Sequence, residues 1–284
     1  MRTILLISAV LLIPPAPAFA WVQTCVPGST PGKQVCLAWA AADMPVGYQI
    51  QEAGSDDIPG TAAFDAVVRG FNHWPEAVPG CLCLNYLGKT PHPPDYSGDG
   101  DGHNTVGWIE STWPYSHEII ALTTNLFSEA NGRITETDME LNGADYTWAV
   151  LDAAGCASGS RSVDVENVVT HEAGHFVGLA HSPIQNSAMY FRAGPGECDK
   201  RILHADDLEG IHTLYDCSTP VAQCANADDD DVVTNDPSGK GNNNSCGCKT
   251  LPDSGWGGSA VGVAAVLVGV GMIRRWRVSR SEIR

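Results

Sequence analysis

The string HEAGHFVGLAH at residues 171–181 constrains the fold more than any other part of the sequence. Its first two histidines, His171 and His175, are four residues apart in a stretch with helical periodicity. Their rings therefore project from one helix face and can share a metal ion. Gly178 can adopt a positive φ, which would end the helix and turn the chain back. His181 would then reach the same point as a third ligand.

The residue types in this string favour zinc. Three neutral imidazoles leave the fourth position of a tetrahedral Zn²⁺ open, which is typical of a catalytic site rather than a structural one. Glu172 lies beside the face that carries the histidines, where its carboxylate can act as general base towards a zinc-activated water. Histidines with separate structural roles are the alternative, but all five fixed positions at this spacing are rare by chance. The sequence therefore predicts one catalytic Zn²⁺ held by His171, His175 and His181, with Glu172 as the catalytic base.

The string also matches HExxHxxGxxH, the zinc signature of the metzincin metalloproteases, and Ser182 after it resembles the matrixin branch (peptidase family M10). Residues 187–190 resemble the matrixin Met-turn, in which Met189 would form an apolar floor beneath the imidazoles. Asp206 and Asp207 resemble the paired aspartates of the family's closing helix. The resemblance implies a zinc-dependent metalloendopeptidase that hydrolyses peptide bonds in extracellular proteins and takes protein or peptide substrates.

The resemblance covers residues 36–217 and implies the α+β fold of a zincin or metzincin catalytic domain. Such a domain has a mixed twisted sheet, two long helices and a C-terminal helix after the Met-turn. Apolar periodicity in this sequence predicts helices over residues 61–74, 163–178 and 205–215. Thr61 is expected to cap the first helix and Pro75 to stop it. Apolar and alternating runs predict strands over residues 45–50, 81–87, 105–110, 118–127 and 134–141.

Three departures from the matrixin pattern stand out. Nothing in the sequence resembles the family's cysteine switch, PRCGxPD, so we expect no inhibitory prodomain. Phe191 replaces the proline that usually follows Met-Tyr in the family. Because of this replacement, the resemblance does not define the shape of the wall of the S1′ substrate pocket. The family's His-x-Asp motif for a second, structural zinc is also missing. The histidines that could still bind such an ion are predicted to be loop or surface residues instead: His92, His103 and His117.

An acidic loop over residues 88–104 leaves two alternatives open. Asp95, Asp99 and Asp101 could form an irregular calcium site, as matrixins do in such loops, or a solvated acidic turn. An EF-hand is disfavoured because Asn104 takes the position that its loop reserves for glycine.

The N-terminus has the pattern of a secretory signal peptide at residues 1–20. Arg2 precedes an apolar run, and Ala18 and Ala20 on either side of Phe19 form a cleavage motif. The run is too short to span a bilayer, although a retained anchor is the alternative. We expect export, with a short N-terminal segment over residues 21–35.

The C-terminal part of the chain is predicted to be a sorting or anchoring segment without a catalytic role. Residues 218–249 are acidic and polar, which predicts a flexible linker that contains Cys246 and Cys248. Residues 250–284 form a C-terminal segment whose apolar stretch, about 256–273, is long enough for a transmembrane helix. Arginines follow it, and the whole resembles the MYXO-CTERM sorting tails. An ordinary single-span anchor is the alternative. Both predict membrane association at the cell surface or outer membrane, or release to the extracellular space.

The net charge argues against a nucleic-acid partner, and the cysteine content indicates the compartment in which the protein folds. The formal net charge is −17, from 16 Lys and Arg against 33 Asp and Glu. Such a chain repels phosphate backbones, so no nucleic-acid partner is expected. Ten cysteines indicate an oxidising compartment. The eight that precede residue 225 allow too many pairings to assign, but Cys25–Cys36 and Cys198–Cys217 are close enough in sequence to form local bridges.

Two other functions remain open from the sequence. The same fold could process a single partner protein, or it could be a catalytically silent, surface-anchored adhesin or binding protein. The intact Glu172 argues against the silent form, because a protein without catalysis has no use for the base. The chain is predicted to be a monomer.

Overall fold

A six-stranded mixed sheet with helices packed on it forms the centre of the fold. The computed structural model describes residues 20–28, 30, 32–94, 100–157, 159–218 and 276–284. They fall within one of the two units of the chain, Met1–Ala225 with Arg275–Arg284. Residues 1–19 of the predicted signal peptide, residues 219–249 of the predicted linker and the predicted apolar span lie outside the described residues. Within the described part, no helix is long and apolar enough to cross a bilayer.

The strands of the described residues, in chain order, are β1 (Val22–Gln23), β2 (Cys25–Pro27), β3 (Gln34–Cys36), β4 (Val46–Gln51), β5 (Leu84–Thr90), β6 (Thr105–Ile109), β7 (Ala121–Ser128), β8 (Ile134–Asn142), β9 (Trp148–Ala149), β10 (Val163–Asp164), β11 (Leu179–Ala180) and β12 (Trp276–Ile283). The helices are α1 (Ala62–Ala77), α2 (Ala153–Ala157), α3 (Val165–Phe176) and α4 (Ala205–Leu214), with 3₁₀ turns at Ala41–Asp43 and Asp199–Arg201.

The main sheet has the order β12-β7-β8-β6-β4-β5. β4 runs parallel to β5 and β6, and β6 runs parallel to β8. β7 is antiparallel to both β8 and β12. The mixture of parallel and antiparallel pairs with helices on the sheet confirms the predicted α+β fold class. The last strand is a difference: residues 276–283 belong to the predicted C-terminal tail, and in the structure they are a strand of this sheet.

Helices α1 and α3 pack closely because α1 carries a glycine at their contact. A Cβ atom on Gly70 would lie 2.8 Å from Cγ1 of Val169, so any larger residue would push the helices apart. The indole N–H of Trp74 donates to the carbonyl of Thr170 at 2.8 Å and ties the same two helices together. Aromatic contacts between Phe71 and Phe176 continue this core. The packing fixes α3, the helix that carries the first two histidines.

Three details of the helix boundaries differ from the sequence predictions. α1 continues past Pro75 to Ala77, because a proline in the last turn removes only one hydrogen bond from the helix. The side chain of Thr61 makes no capping hydrogen bond. α3 begins at Val165 because the side chain of Asp164 accepts a hydrogen bond from the N–H of Asn167 at 2.8 Å.

Disulfides link distant parts of the unit. Cys25–Cys36 joins β2 and β3, as predicted, and Cys156–Cys198 and Cys81–Cys217 are the other two described bridges. Cys83 is disulfide-bonded as well. The predicted Cys198–Cys217 bridge is therefore wrong. The fold brings Cys217, which follows α4, to the end of α1 instead, where Cys81 lies 136 residues away in sequence.

Glu166 joins α3 to α1 through two hydrogen bonds. Its carboxylate accepts from Nε of Arg69 at 2.7 Å and contacts Nε2 of His73 at 2.9 Å. Burial raises the pKa of Glu166, but the hydrogen bonds from His73 and Arg69, together with the positive charges of Arg201 and Arg69, outweigh burial and lower the pKa from 4.5 to about 2. Because the folded state has the lower pKa, the ionised carboxylate stabilises the fold above pH 4.5. That contribution is lost as the pH falls through about 2.

Glu166→Gln is expected to lower the free energy of unfolding at pH 7 by about 1–2 kcal/mol, a value reduced for the partial exposure of Arg69. Urea unfolding of both chains between about pH 7 and pH 3 measures the difference, which should shrink as the pH falls. The exposed Glu76→Gln on α1, the helix that carries Arg69 and His73, is the control and should change stability by less than about 0.5 kcal/mol. A deficit for Glu166→Gln that is equal at both ends of the pH range would contradict the explanation.

Candidate metal centre

The three predicted histidines meet at one point. His171 and His175 project from the same face of α3, and His181 follows β11, where the chain has turned back. Nε2 of His175 lies 3.0 Å from Nε2 of His171 and 3.2 Å from Nε2 of His181. Tetrahedral ligands at about 2.0–2.1 Å from zinc are themselves roughly 3.3 Å apart. The spacing of the three nitrogen atoms thus fits a zinc ion.

Backbone carbonyls orient two of the rings. Nδ1 of His171 contacts the carbonyl of Ala188 at 2.6 Å, and Nδ1 of His175 contacts the carbonyl of Leu179 at 2.8 Å. A carbonyl only accepts, so each Nδ1 carries the proton and donates it. The lone pair of each Nε2 is then free to face the common point, which is the tautomer that a metal requires.

Two glycines allow this geometry. Gly178 has a φ of +98°, and a Cβ atom there would also collide with the carbonyl oxygen of Leu37. It ends α3 and turns the chain towards β11, which delivers His181. Gly174 lies between the first two histidines, where a Cβ atom would overlap with Sδ of Met189 and come within 2.7 Å of the Trp74 ring. The absence of a side chain at residue 174 lets Met189 pack directly against α3.

The turn that contains Met189 is held by a buried carboxylate. Asp207 accepts hydrogen bonds from the Ser187 hydroxyl and from the backbone N–H groups of Ala188 at 2.8 Å and Met189 at 3.2 Å. Asp207 also accepts a hydrogen bond of 2.8 Å from the N–H of His204, the residue that caps the start of α4. Ala188 is the residue whose carbonyl orients His171, so Asp207 positions a ligand through the turn.

Its neighbour Asp206 joins three other segments. One carboxylate oxygen accepts from the Ser182 hydroxyl at 2.6 Å. The other accepts from the backbone N–H groups of Ala20 at 2.5 Å and Trp21 at 3.0 Å. Asp206 therefore holds the N-terminal segment and the residue after His181 against α4.

Glu172 is buried beside the histidines with one oxygen held and the other free. Its Oε2 accepts a hydrogen bond of 2.5 Å from the hydroxyl of Thr123 on β7. Its Oε1 is buried and has no hydrogen-bond partner among the described residues. A buried oxygen without a partner is costly unless a water or ligand satisfies it. The fold thus leaves one carboxylate oxygen of Glu172, the neighbour of His171 on α3, available to a water or ligand.

Burial keeps the imidazoles neutral. Burial lowers the pKa of all three, and the neighbouring rings add to the effect at His171 and His175, the latter falling to about 3. Neutral imidazoles are the form that binds a metal. Burial raises the pKa of Glu172 to about 8, against the hydrogen bond from Thr123. A divalent cation held by the rings would lower that pKa again, because an opposite charge favours the carboxylate. The donor set therefore fits a catalytic zinc ion.

The calcium prediction stays a prediction. Asp95 and Asp99 lie outside the described residues. Asp101 is described, and its carboxylate accepts from the backbone N–H of His103 at 2.8 Å. The ligand atoms of Asp101, His92 and His103 lie within 4.8 Å of one another, on the surface. His117 lies elsewhere and contacts Asp145 at 2.9 Å.

Sequence patterns missed the residues that support the site from β7. Thr123 holds Glu172, and the side-chain amide of Asn125 donates to the carbonyl of His175 at 3.1 Å. Both residues belong to a strand predicted at nearly the right place. No local pattern indicates which polar residues of a strand face a helix that is 50 residues away in sequence.

Asp207→Ala is expected to destabilise the fold by about 3 kcal/mol, because it leaves several buried donors of the Met189 turn without an acceptor. Chemical unfolding of the zinc-free protein measures this effect without the contribution of the metal. The exposed Asp56→Ala serves as the control and should change stability by less than about 0.5 kcal/mol. Equal stabilities for the two variants would show that Asp207 does not hold the turn.

The part of the chain that carries the three histidines is similar in sequence to known proteins. Residues 114–216 match the family model described as Matrixin. Metalloendoproteinase 2-MMP of Arabidopsis thaliana is 42% identical over 122 residues, which cover 42% of this chain and 28% of that protein. Metalloendoproteinase 4-MMP of Arabidopsis thaliana is 37% identical over 98 residues, covering 34% and 26%. Human Matrilysin is 38% identical over 56 residues, covering 20% and 21%.

The chain therefore spans about a quarter of the length of these relatives. The family match contains the whole constellation of the three histidines, Glu172 and Met189. It falls on the α+β unit in which the three imidazoles converge. Residues 114–216 of this chain are thus matrixin-type in sequence and carry the three histidines of the candidate metal centre.

Proposed function

We propose that this protein is an exported zinc-dependent metalloendopeptidase. The observation that carries the proposal is the convergence of three Nε2 atoms next to a buried carboxylate with one free oxygen. Three neutral nitrogen ligands and an open position are the donor set of catalytic rather than structural zinc. The similarity to metalloendoproteinases over the same part of the chain supports the assignment.

Zinc bound by the three histidines would supply a Lewis acid that lowers the pKa of water to about 7 and polarises a peptide carbonyl. The remaining work falls to this chain's own side chains. Glu172 accepts the proton of the attacking water at Oε1 and later delivers it to the leaving amine. Thr123 holds Oε2 and so keeps Oε1 aimed at the reacting atoms. Met189 and Asp207 act on position only.

Export and attachment are parts of the proposal that depend on the ends of the chain. The three described disulfides support an oxidising compartment and hence export through residues 1–20. Membrane attachment through residues 256–273 stays a prediction from the sequence, because that stretch lies outside the described residues. A calcium site that includes Asp101 is likewise a prediction from the sequence.

A catalytically silent binding protein on the same scaffold is the second candidate. The free oxygen of Glu172 argues against it, since a buried unpaired oxygen costs about 1–3 kcal/mol of stability and benefits only catalysis.

Metal removal tests the proposal. Purified full chain should contain about one zinc ion per molecule and should cleave peptides from a mixed library, as read out by mass spectrometry. A chelator should reduce cleavage by at least about 90%, and stoichiometric zinc should restore it, because the open position is lost with the metal. A metal-free protein, or cleavage that persists after complete removal of zinc, would refute the assignment.

A further inference from the structure

The C-terminal strand lies on the sheet edge next to the metal centre. β12 pairs antiparallel with β7 over its whole length, from Trp276 opposite Ser128 to Ile283 opposite Ala121. β7 is the strand whose Thr123 holds the catalytic base. Without β12, β7 would be the outermost strand of the sheet and would present a free backbone edge. An extended peptide can add to such an edge through main-chain hydrogen bonds.

The last two residues are held from both sides. On the β7 side, the N–H of Ile120 donates to the carbonyl of Ile283 at 2.9 Å. On the other side, the N–H of Arg284 donates to the carbonyl of Phe191 at 3.1 Å, and the N–H of Ala193 donates to the carbonyl of Arg284 at 2.9 Å. Phe191 and Ala193 follow the Met189 turn. The end of the chain is thus clamped in a cleft between the sheet edge and this turn.

The side chain of Ile283 fills the interior of that cleft. It is 0% exposed and belongs to the main hydrophobic core. By contrast, the side chain of Arg284 is exposed and pairs only with Glu282 of the same strand among the described residues. Peptides that bind to a sheet edge are held in the same way. Their main-chain hydrogen bonds provide affinity, and a pocket for a buried side chain provides specificity.

The peptide bond before Ile283 lies at the metal centre. The backbone of Glu282 lies beside the ring of His181. The backbone N–H of Ile283 lies beside the carboxylate of Glu172 but makes no hydrogen bond to its Oε1. A peptide bond of the chain itself therefore stands where the proposed function requires the bond of a substrate.

We propose that residues 276–284 are an intramolecular ligand of the active-site cleft and compete with other peptides for it. The binding itself follows from the strand contacts, whereas the inhibitory consequence rests on the proposed function. The segment binds as an extended peptide along β7, with Ile283 in the pocket and the Glu282–Ile283 bond at the histidines. The chain thereby has a device that keeps the cleft closed without a cysteine switch.

Covalent attachment makes even a weak ligand effective. A tethered segment competes at an effective concentration on the order of millimolar, so an affinity of about 0.1 mM for the free peptide would give roughly tenfold inhibition. One cut between residues 219 and 275 would end this advantage. Insertion of the predicted span into a membrane would do the same, because a chain end beyond the bilayer cannot pair with β7.

Binding is tested first, without any need for activity. The probe is a fluorescent synthetic peptide of residues 276–284, WRVSRSEIR, measured by anisotropy against zinc-loaded full chain that carries Glu172→Gln. In that chain the cleft is occupied, so little binding is expected. Adding Ile283→Asp to the chain places a charge in the apolar pocket and expels the strand, so the probe should bind at least about tenfold more tightly. A probe with Ser in place of Ile283 keeps the net charge and should not bind.

Activity is tested second, in full chains with an intact Glu172. Ile283→Asp should raise kcat/KM for a library-derived peptide at least about tenfold. Ile202→Asp is the matched control, because it makes the same change at a residue that is 77% exposed, and it should leave the rate unchanged. A chain that ends at residue 275 should show the same increase in kcat/KM as Ile283→Asp. Agreement between the two variants would show that the increase comes from loss of the strand and not from misfolding of one variant.

The outcomes separate the two proposals. Equal activity of all chains together with no probe binding would overturn the inhibitory strand and leave the peptidase intact. Probe binding without activity in any chain would refute the peptidase and retain the binding site. Loss of Ile283–Arg284 from the zinc-loaded chain, seen by intact mass, would overturn the proposal too, because a hydrolysed segment cannot remain as a ligand.

Discussion

Glu172→Gln is expected to reduce kcat/KM for peptide hydrolysis by about 10³-fold, within the 10²–10⁴ range of general base catalysis, while zinc content stays at about one ion per chain. Glutamine has nearly the same shape as glutamate and can still accept the hydrogen bond from Thr123 at one oxygen. Its amide cannot take a proton from water. The change thus removes the base and leaves the pocket and the metal ligands in place.

The rates are measured in the full chain and, in parallel, in the chain with Ile283→Asp, so that occupation of the cleft does not mask the effect. Glu52→Gln, at an exposed glutamate, is the control and should keep the full rate. Zinc is counted by elemental analysis of the same samples. Full activity in Glu172→Gln would eliminate this residue as the base. Loss of both zinc and activity would mean that its role lies in holding the metal.

His181→Ala is expected to weaken zinc binding by at least about 100-fold and to abolish hydrolysis. Changes in residues that merely orient a ligand already cost 10–100-fold in affinity, and His181 would be a ligand itself. It is also the most informative of the three histidines to replace. The other two are fully buried and hydrogen-bonded to backbone carbonyls, so their loss would also disturb the fold, whereas His181 is partly exposed.

Zinc affinity is measured by competition with a chromogenic chelator, and stability by thermal unfolding with and without zinc. Zinc should raise the midpoint of the unsubstituted chain and have little effect on His181→Ala, because a ligand stabilises only the state that binds it. His117→Ala is the control: its side chain is 83% exposed, far from the centre in sequence, and its zinc response should match the unsubstituted chain. Unchanged affinity in His181→Ala would exclude a three-histidine site.

The helix that carries the site was predictable, and the reason is that its information is local. Apolar periodicity placed α3 to within two residues at each end, and four-residue spacing alone puts His171 and His175 on one face. Five of the six strands of the main sheet, β4 to β8, were predicted at the right places in the sequence, with ends that differ by a few residues, since strand ends depend on pairing partners. Pro75 shows the limit of a local rule: tertiary packing of α1 on α3 outweighed one lost hydrogen bond.

Contacts between distant segments were not predictable from the same patterns. Cys81 pairs with Cys217 because the fold brings the end of α1 to the end of α4, which sequence proximity could not indicate. Thr123 and Asn125 are ordinary strand residues until α3 packs across β7. The arginine-rich end resembled part of a sorting tail, and nothing in its composition indicated that it can pair with a sheet edge more than 140 residues earlier.

The sequence by itself predicted the three histidines, Glu172 and the turn that brings them together, because helix periodicity and the φ of one glycine act over eleven residues. Only the tertiary structure decided what surrounds them: which carbonyls orient the rings, which hydroxyl contacts Glu172, and which strand pairs with β7. Those contacts depend on which surfaces meet when the chain collapses. Long-range packing, unlike helix geometry, is a property of the whole unit rather than of any one segment.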